Sequence, residues 1–516
     1  MSESTVDVLV AGGGLTGLAA ATFLAWHGVR VTVVERHAGT LIHPRARSIN
    51  PRTAELLRQV GLESAVSDGD GYVSELPSVY MLRAETLAGE ELSRTEQRPP
   101  ARDGADVSPG RWGMIDQDRL EMVLRDRAVE LGAEVLFGHE LISFGQDSEG
   151  VTAEISGSGS IRASYLIGAD GHASTVRSAL GIGLTGPGKL SHIVSMVFDA
   201  DLTEPFRGRH DPARNQFVAS CHLTTPAEGT VLFPHGGEGR WVFNTPYFPE
   251  RGESVATFDD ERCISAIRAA IGVPALDVEL VPQLANGVKV LGYEIGAAVA
   301  DSYRSGRVFL IGDAAHLMPP TGAFGAGTGI QDAHNLAWKL AFVLSGHAGA
   351  GLLETYEAER RPVAEFTLGQ ALLLMSLRGG AKVVPPEGHT LVDYDAAVFG
   401  YRYPGPAGGP AAYPPAELTG VPGTRAPHFA TDSGSSLDRY GRDYVLLTGA
   451  PSTVESVTLD TPELRALHGI TESGALLVRP DGFVAWRQES GFTVGLLENV
   501  LARLNHRELA PSAGAR

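Results

Sequence analysis

Two glycine-rich segments, far apart in the chain, constrain the fold more than anything else in the sequence. They are Val6-Asp-Val-Leu-Val-Ala-Gly-Gly-Gly-Leu-Thr-Gly17 and Arg307-Val-Phe-Leu-Ile-Gly-Asp-Ala-Ala-His316. The first opens on an apolar, β-branched run that reads as a buried parallel strand. Gly12, Gly14 and Gly17 then fit G-x-G-x-x-G: a tight turn, a close approach to a pyrophosphate, and a helix packed hard on its strand. Leu18, Ala19, Phe23 and Leu24 recur at helical spacing, Gly28 ends the helix, and Arg30-Val-Thr-Val-Val34 is a second strand. The helix N-terminus, at Thr16, aims its free N–H groups at an anion. Glu35 closes the second strand about 20 residues past the glycines, where an acid binds ribose hydroxyls and disfavours a 2′-phosphate. Arg36, next to it, is either an adenosine contact or a solvated charge. This motif predicts an adenine dinucleotide but does not separate FAD from NAD.

The second segment decides between them. Val308-Phe-Leu-Ile311 reads as another buried strand, and Asp313 stands at its carboxyl end, where open α/β sheets bind ligands. A carboxylate there accepts hydrogen bonds from sugar-alcohol hydroxyls. The following Pro319-Pro-Thr-Gly-Ala-Phe-Gly-Ala-Gly-Thr-Gly329 is too rich in Gly and Pro to be helix, and a helix is predicted over 330–344. That helix would aim positive N–H groups at a reduced flavin ring. A grip at both ends suits a cofactor as long as FAD.

Three further stretches complete a resemblance: Tyr165-Leu-Ile-Gly-Ala-Asp-Gly-His-Ala-Ser-Thr-Val-Arg177, Asp332-Ala-His-Asn-Leu-Ala-Trp-Lys-Leu340 and Tyr356-Glu-Ala-Glu-Arg-Arg-Pro362. To about residue 400 the chain resembles the flavoprotein aromatic hydroxylases related to para-hydroxybenzoate hydroxylase. Within them it is most similar to the actinobacterial polyketide-tailoring branch that includes aklavinone 11-hydroxylase. The resemblance implies an FAD-dependent monooxygenase that uses NADPH or NADH and O2. Its reduced flavin forms a C4a-hydroperoxide that hydroxylates a polycyclic phenol or quinone. Baeyer–Villiger insertion, epoxidation or antibiotic inactivation by the same scaffold stays open, as does a flavin dehydrogenase without oxygen insertion.

The same resemblance assigns residues. Arg45, in His43-Pro-Arg-Ala-Arg47, corresponds to an arginine beside the flavin that gates its movement, and no protein base is assigned. Gln117 corresponds to a glutamine near the ribityl–phosphate region, and Asp170 lies near the pyrophosphate. Pro320, Gly325, Ala326 and Gly327 form the flavin loop. Gly327 departs from the family, where many relatives carry Asn, and Tyr293 stands where relatives often have Trp. Arg177 is expected to meet either Asp170 or the phosphates. Asp332 and Asn335 are read as fastening their helix, and His316 as a loop hydrogen-bonder. His222, Phe243, Tyr247 and Tyr293 are candidate substrate-pocket residues, although alternation alone does not say which sheet face looks at the flavin.

The expected architecture is α/β. A Rossmann-like FAD domain is formed by 1–180 and 291–400, with a mainly β substrate domain inserted at 181–290. A Pro/Gly/Ala linker over 403–415 leads to a thioredoxin-like C-terminal domain within 401–516. That tail holds neither of the two cysteines, Cys221 and Cys263, so thiol redox chemistry is excluded there. The cysteine pattern matches neither a disulfide framework nor a metal site. Forty-two basic against 61 acidic residues give a net charge of −19 with no basic stripe, which argues against nucleic acid as a partner. No apolar run is long enough to span a membrane. A cytoplasmic monomer or homodimer acting on a small aromatic molecule is the expectation.

Overall fold

Parallel pairing of Ser4–Ala11 with Val31–Glu35 on one side and Gly159–Gly168 on the other builds the first sheet. The computed structural model describes residues 4–40, 46, 48–67, 79–96, 107–110, 112–113, 115–211, 216–235, 239–284, 286–377, 388–405, 408–431 and 434–507. Arg45 lies outside the described residues. Glu134–Phe137 extends the sheet past the second strand, and Val308–Leu310 joins Gly159–Gly168 in parallel on the far side. The two glycine segments therefore follow strands of one sheet. Val8, Leu9 and Val10 are fully buried, as a strand covered on both faces requires. Leu15–Trp26 packs between Gln117–Glu130 and Gly325–Leu344. Ten of its twelve residues are buried, which makes it an interior helix and not an amphipathic surface one.

The second sheet runs in the order His316–Leu317, Val290–Ala300, Leu184–Asp199, Arg240–Tyr247, Thr230–Pro234, Phe217–Leu223, Val79–Ala84 and Glu91–Glu96. It extends beyond the expected insertion at 181–290. Val79–Ala84 pairs in parallel with Phe217–Leu223, and with Glu91–Glu96, Val290–Ala300 and His316–Leu317 it makes four strands drawn from the segments expected to form the FAD domain. Local pattern could not reveal this, because a strand's partner is chosen in space. One face of the sheet packs on Asp260–Ile271 through Val194, Met196, Phe198, Phe243, Ile267 and Ile271. The opposite face looks toward the first sheet.

The C-terminal unit is a four-stranded sheet in the order Val457–Thr458, Val445–Thr448, Ala475–Val478, Val484–Gln488, with the helices Pro462–Leu467 and Val494–Leu504. Its hairpin turns where Arg479-Pro-Asp-Gly482 predicts. The stretch 403–415 is not an extended linker. Tyr401 bridges to Ala412, Tyr413 N–H donates to Gly400 O at 2.9 Å, and Tyr403 stacks on Phe483 at 4.2 Å between centroids. Aromatic packing folds this Pro-rich segment back on the body.

The join between the units is ionic and buried. Glu55, on the helix Pro51–Gln59, is held by Arg52 Nη1 at 2.7 Å and by Arg425 Nε and Nη2 at 3.0 and 2.5 Å. Nearby, Arg479 makes a two-pronged bond to Glu359 (2.6 and 2.8 Å), and Lys339 reaches the same carboxylate at 2.7 Å. Asp481 accepts from Asn335 and Trp338 of the long helix. Asn335 thus fastens that helix to its neighbours, as the sequence suggests.

Two buried imidazoles set an acid limit on this packing. Burial pushes His334 down to about 3, with its Nε2 2.7 Å from Gln59 Oε1. Burial and the nearby Arg442 guanidinium push His27 down to about 4. Below the ordinary value of 6.5 the unfolded chain takes up protons that these two groups refuse, so stability falls with pH through that window. The urea midpoint is expected to drop between pH 6.5 and 4, and His334→Gln to remove on the order of 3 kcal/mol of that fall. An unchanged fall would count against this assignment.

Candidate active site

The first glycine loop is built by close approach. Gly12 sits at φ +105°, and a Cβ there would fall 2.3 Å from Ala169 O. A Cβ on Gly17 would fall 1.9 Å from Gly12 O, so the helix cannot seat on its strand with any side chain at that position. At Gly14 the nearest atom is Glu121 Oε1 at 3.9 Å, leaving open space for a ligand. The Leu15–Trp26 helix has no side-chain cap, so its first N–H groups are free for an anion. Glu35 Oε2 accepts Gly13 N–H at 2.7 Å, which ties the second strand to this loop.

Thr16 is the point where the two motifs meet. Its Oγ1 lies 2.6 Å from a Cβ built on Gly312 and 2.7 Å from one built on Gly329. The Gly312 turn is held from below by Asp332, whose Oδ2 accepts Gly312 N–H at 3.2 Å and lies 2.7 Å from His316 Nε2. Arg360 Nε donates to Asp332 Oδ1 at 2.8 Å. Burial opposes the charge on Asp332, yet Arg360 and His316 hold its carboxyl below the ordinary range. Asp313, next in the turn, is exposed to the cleft, and its carboxylate has no partner among the described residues.

The helix after this turn spans Gly325–Leu344, so it starts five residues earlier than the expected Ile330. Glycine propensity argued against that start, and packing overrides it. A Cβ on Gly327 would fall 2.8 Å from Asn50 Nδ2 and 2.9 Å from Thr53 Oγ1. The small residue lets Pro51–Gln59 press against the helix, and the family's usual Asn would not fit here without displacing Asn50.

Between the sheets lies a continuous cleft of ≈ 3980 Å³. Gly12, Gly14, Thr16, Glu35, Arg36, Gln117, Asp170, Asp313, Pro320, Gly325 and Ala326 line it, and His222 and Tyr293 line it on the side of the second sheet. Gly17 and Gly327 do not; they are packing positions. Gln117 accepts Ala46 N–H through Oε1 (3.2 Å) and donates to Glu121 through Nε2 (2.9 Å). Asp170 accepts from Ser174 Oγ, Thr175 Oγ1 and Val176 N–H, which caps the short helix Thr175–Ala179. Of Arg177's expected partners, Asp170 takes no hydrogen bond from it; Arg177 donates to Ala314 O and His172 O, both at 2.9 Å.

Phe243 and Tyr247 are corrections. Phe243 is fully buried opposite Met196 in the core against Asp260–Ile271, and Tyr247 packs on that core beside Phe258. Register places Asn244, paired with Ser195 and Val231, on the cleft face instead. A polar Asn amid Trp241-Val-Phe243 was the available signal. Trp112, stacked on Tyr394 at 5.6 Å, also lines the cleft and carried no motif. So do Asp116 and His235, whose side chains meet at 3.0 Å across the cleft.

Burial pushes the Cys221 thiol up to about 12 and Cys263 up to about 11, so neither is a nucleophile at neutral pH. Among the described residues no group of His, Cys, Asp and Glu could hold a metal ion, and no helix is long and apolar enough to cross a membrane.

The residues present fit FAD. Two uncapped helix N-termini, at Leu15 and Gly325, open on one cleft, with an unpartnered carboxylate at the second strand end and vacant space over Gly14. Comparison with known proteins agrees. Residues 5–371 match the FAD binding domain family, and 419–506 match the aromatic-ring hydroxylase C-terminal family. A putative polyketide hydroxylase of Streptomyces halstedii is 43% identical, with 94% of this chain and 93% of that protein covered. Tetracenomycin B2 monooxygenase-dioxygenase of Streptomyces olivaceus is 42% identical over 98% and 99% of the two chains. The solved ternary complex of aklavinone-11 hydroxylase with FAD and aklavinone superposes with a TM-score of 0.87 at 35% identity, covering 98% of this chain and all of that one. With both halves of the cofactor cradle in place, the chain belongs to the FAD-binding aromatic-ring hydroxylase family and is an FAD-dependent monooxygenase that draws on NAD(P)H and O2.

Proposed function

We propose that this enzyme hydroxylates a polycyclic aromatic polyketide, a phenol or quinone, held between the two sheets. The observation that carries the reading is one continuous cleft with a cofactor cradle on one wall and, on the other, a sheet face that sets apolar Val231, Phe233, Leu291 and Ile295 beside polar His222, Asn244 and Tyr293. Relatives named for polyketide, tetracenomycin and aklavinone substrates support the substrate class. The N–H groups at Leu15 would bind the pyrophosphate, Glu35 the ribose, and Asp313 the ribityl hydroxyls. The Gly325 helix N-terminus would favour negative charge on the reduced ring. FAD, when bound, supplies the activation of O2. The chain's own part is to position the ring carbon, exclude water and manage protons. Arg45 remains the proposed gate of flavin movement by its family position. A cytoplasmic monomer or homodimer accompanies this reading.

The test is NADPH or NADH consumption in air by FAD-loaded protein, with and without hydroxyanthraquinones and angucycline phenols, followed by product mass under ¹⁸O₂. Substrate-stimulated consumption with one labelled oxygen in the product supports hydroxylation. Two relatives are named monooxygenase-dioxygenases, so more than one labelled oxygen would place this chain with them. Turnover without label would mean a dehydrogenase, and a label in a ring-opened product would mean Baeyer–Villiger insertion.

A further inference from the structure

His235 follows the strand Thr230–Pro234 of the second sheet, and its backbone N–H donates to Arg240 O at 2.9 Å. Its Nδ1 lies 3.0 Å from Asp116 Oδ2. Asp116 is the N-cap residue of Gln117–Glu130, yet its side chain makes no capping bond. An aspartate at that position ordinarily closes its own helix. This one is turned across the cleft to an imidazole on the opposite sheet. Both side chains line the cleft and are mostly covered, at 17% and 16% exposure, beside Gln117.

A carboxylate accepting from Nδ1–H fixes the tautomer and leaves the Nε2 lone pair as a proton acceptor. His235 Nε2 has no hydrogen-bond partner among the described residues. Among the other cleft imidazoles, His222 Nε2 lies 3.3 Å from Ser220 Oγ, His210 Nδ1 accepts Val218 N–H, His37 pairs with Glu35 and His139 Nδ1 lies 2.8 Å from Phe137 O; His172, in the turn after Asp170, and His428, in the C-terminal unit, also line the cleft. The remaining charges in the first two turns of the helix are Asp118, Arg119 and Glu121, with Arg125, Asp126, Arg127 and Glu130 further along it, and across the cleft stands Arg240. Glu121 is bonded to Gln117, and Arg240 is bound in two-pronged fashion by Asp199.

We propose that His235 is the proton acceptor for the substrate phenol and that Asp116 is its positioning residue; this rests on the phenolic substrate class proposed above. The phenol O–H bond breaks, the proton passes to Nε2, and the electron pair stays on oxygen, where it enriches the ring for attack on an electrophilic oxygen. Asp116 stabilises the resulting imidazolium, which returns the proton to water when the product leaves. No oxidant or reductant enters this step.

The test reads ionisation of a bound ligand, not turnover. FAD-loaded wild type, His235→Gln and Asp116→Asn are titrated with 1,2-dihydroxyanthraquinone, whose visible band moves to the red on ionisation, across a range of pH. Dissociation constant and ionisation midpoint are read separately. The wild type is expected to bind the phenolate. In His235→Gln the midpoint should rise by about one pH unit or more, a tenfold change, while affinity for the neutral form changes less than about threefold. Asp116→Asn should fall between them. Equal midpoints in wild type and His235→Gln overturn the proposal and leave the substrate reading intact. If His235→Gln fails to hold FAD, the midpoint of Asp116→Asn decides, and no shift there overturns it as well. Absence of any phenol binding by the wild type overturns the substrate reading, and this proposal with it.

Discussion

Arg425→Leu is expected to lower stability by about 3–5 kcal/mol, read as a shift of the urea midpoint with an unchanged slope. Arg425 and Glu55 are each 1% exposed, and Arg425 Nη2 lies 2.5 Å from Glu55 Oε1. Burial alone would force Glu55 neutral; the Arg425 and Arg52 guanidinium groups hold it below the ordinary carboxylate range. With Arg425 removed, the desolvation of Glu55 stays while its nearest counter-charge goes. That is why breaking a buried ion pair destabilises more than the pair itself contributes. The triple change Arg52→Met, Glu55→Leu, Arg425→Leu is therefore expected to recover much of the loss, a non-additivity that a simple packing defect would not give. The effect should reach the cofactor, since Glu55 lies on the helix whose Asn50 and Thr53 press on Gly327. A loss under 1 kcal/mol for Arg425→Leu would mean that water reaches this join.

Much of this arrangement is legible from residue order, and the illegible part has a common cause. The strand–turn–helix of Val8 to Leu24 and the Gly312 turn are local: apolar runs and glycine spacing specify them without reference to the rest of the chain. Fold class and the line of cofactor residues follow from that. Phe243 was misplaced because a strand's period gives two faces and not their destinations; only pairing with Met196 and the helix Asp260–Ile271 assigns them. The helix start at Gly325 was missed because the glycines there answer to Asn50, Thr53 and Thr16, distant in sequence. Val79–Ala84 joined an unexpected sheet, and Asp116 met His235, for the same reason. Ion pairs across sheets and domains carry no periodic signal, so the residues that couple the units are the ones sequence reading leaves unassigned.

Gly17→Ala and Gly14→Ala are expected to lose FAD for different reasons, and the pair separates fold from ligand. At Gly17 the new Cβ meets backbone, Gly12 O at 1.9 Å and Gly12 C at 3.0 Å, with Ala169 Cβ at 3.3 Å behind it. Backbone atoms at the neck of a turn cannot swing aside as a side-chain end can. The helix must lift from its strand, at about 2–4 kcal/mol of stability, and its N-terminus no longer faces the cleft. At Gly14 the new methyl finds only Glu121 Oε1, at 3.9 Å, so the protein alone has room for it. Only a ligand pressed against the loop would collide. Gly14→Ala should thus keep the unfolding midpoint of FAD-free protein within about 0.5 kcal/mol of wild type while weakening FAD binding at least tenfold. Gly17→Ala should lose both, purifying without flavin absorbance. Bound FAD adds stability in proportion to its affinity, so midpoints must be compared without it and again at saturation. If Gly14→Ala retained wild-type affinity, the pyrophosphate would not lie over this loop, and the cradle drawn from the two glycine segments would have to be placed elsewhere in the cleft.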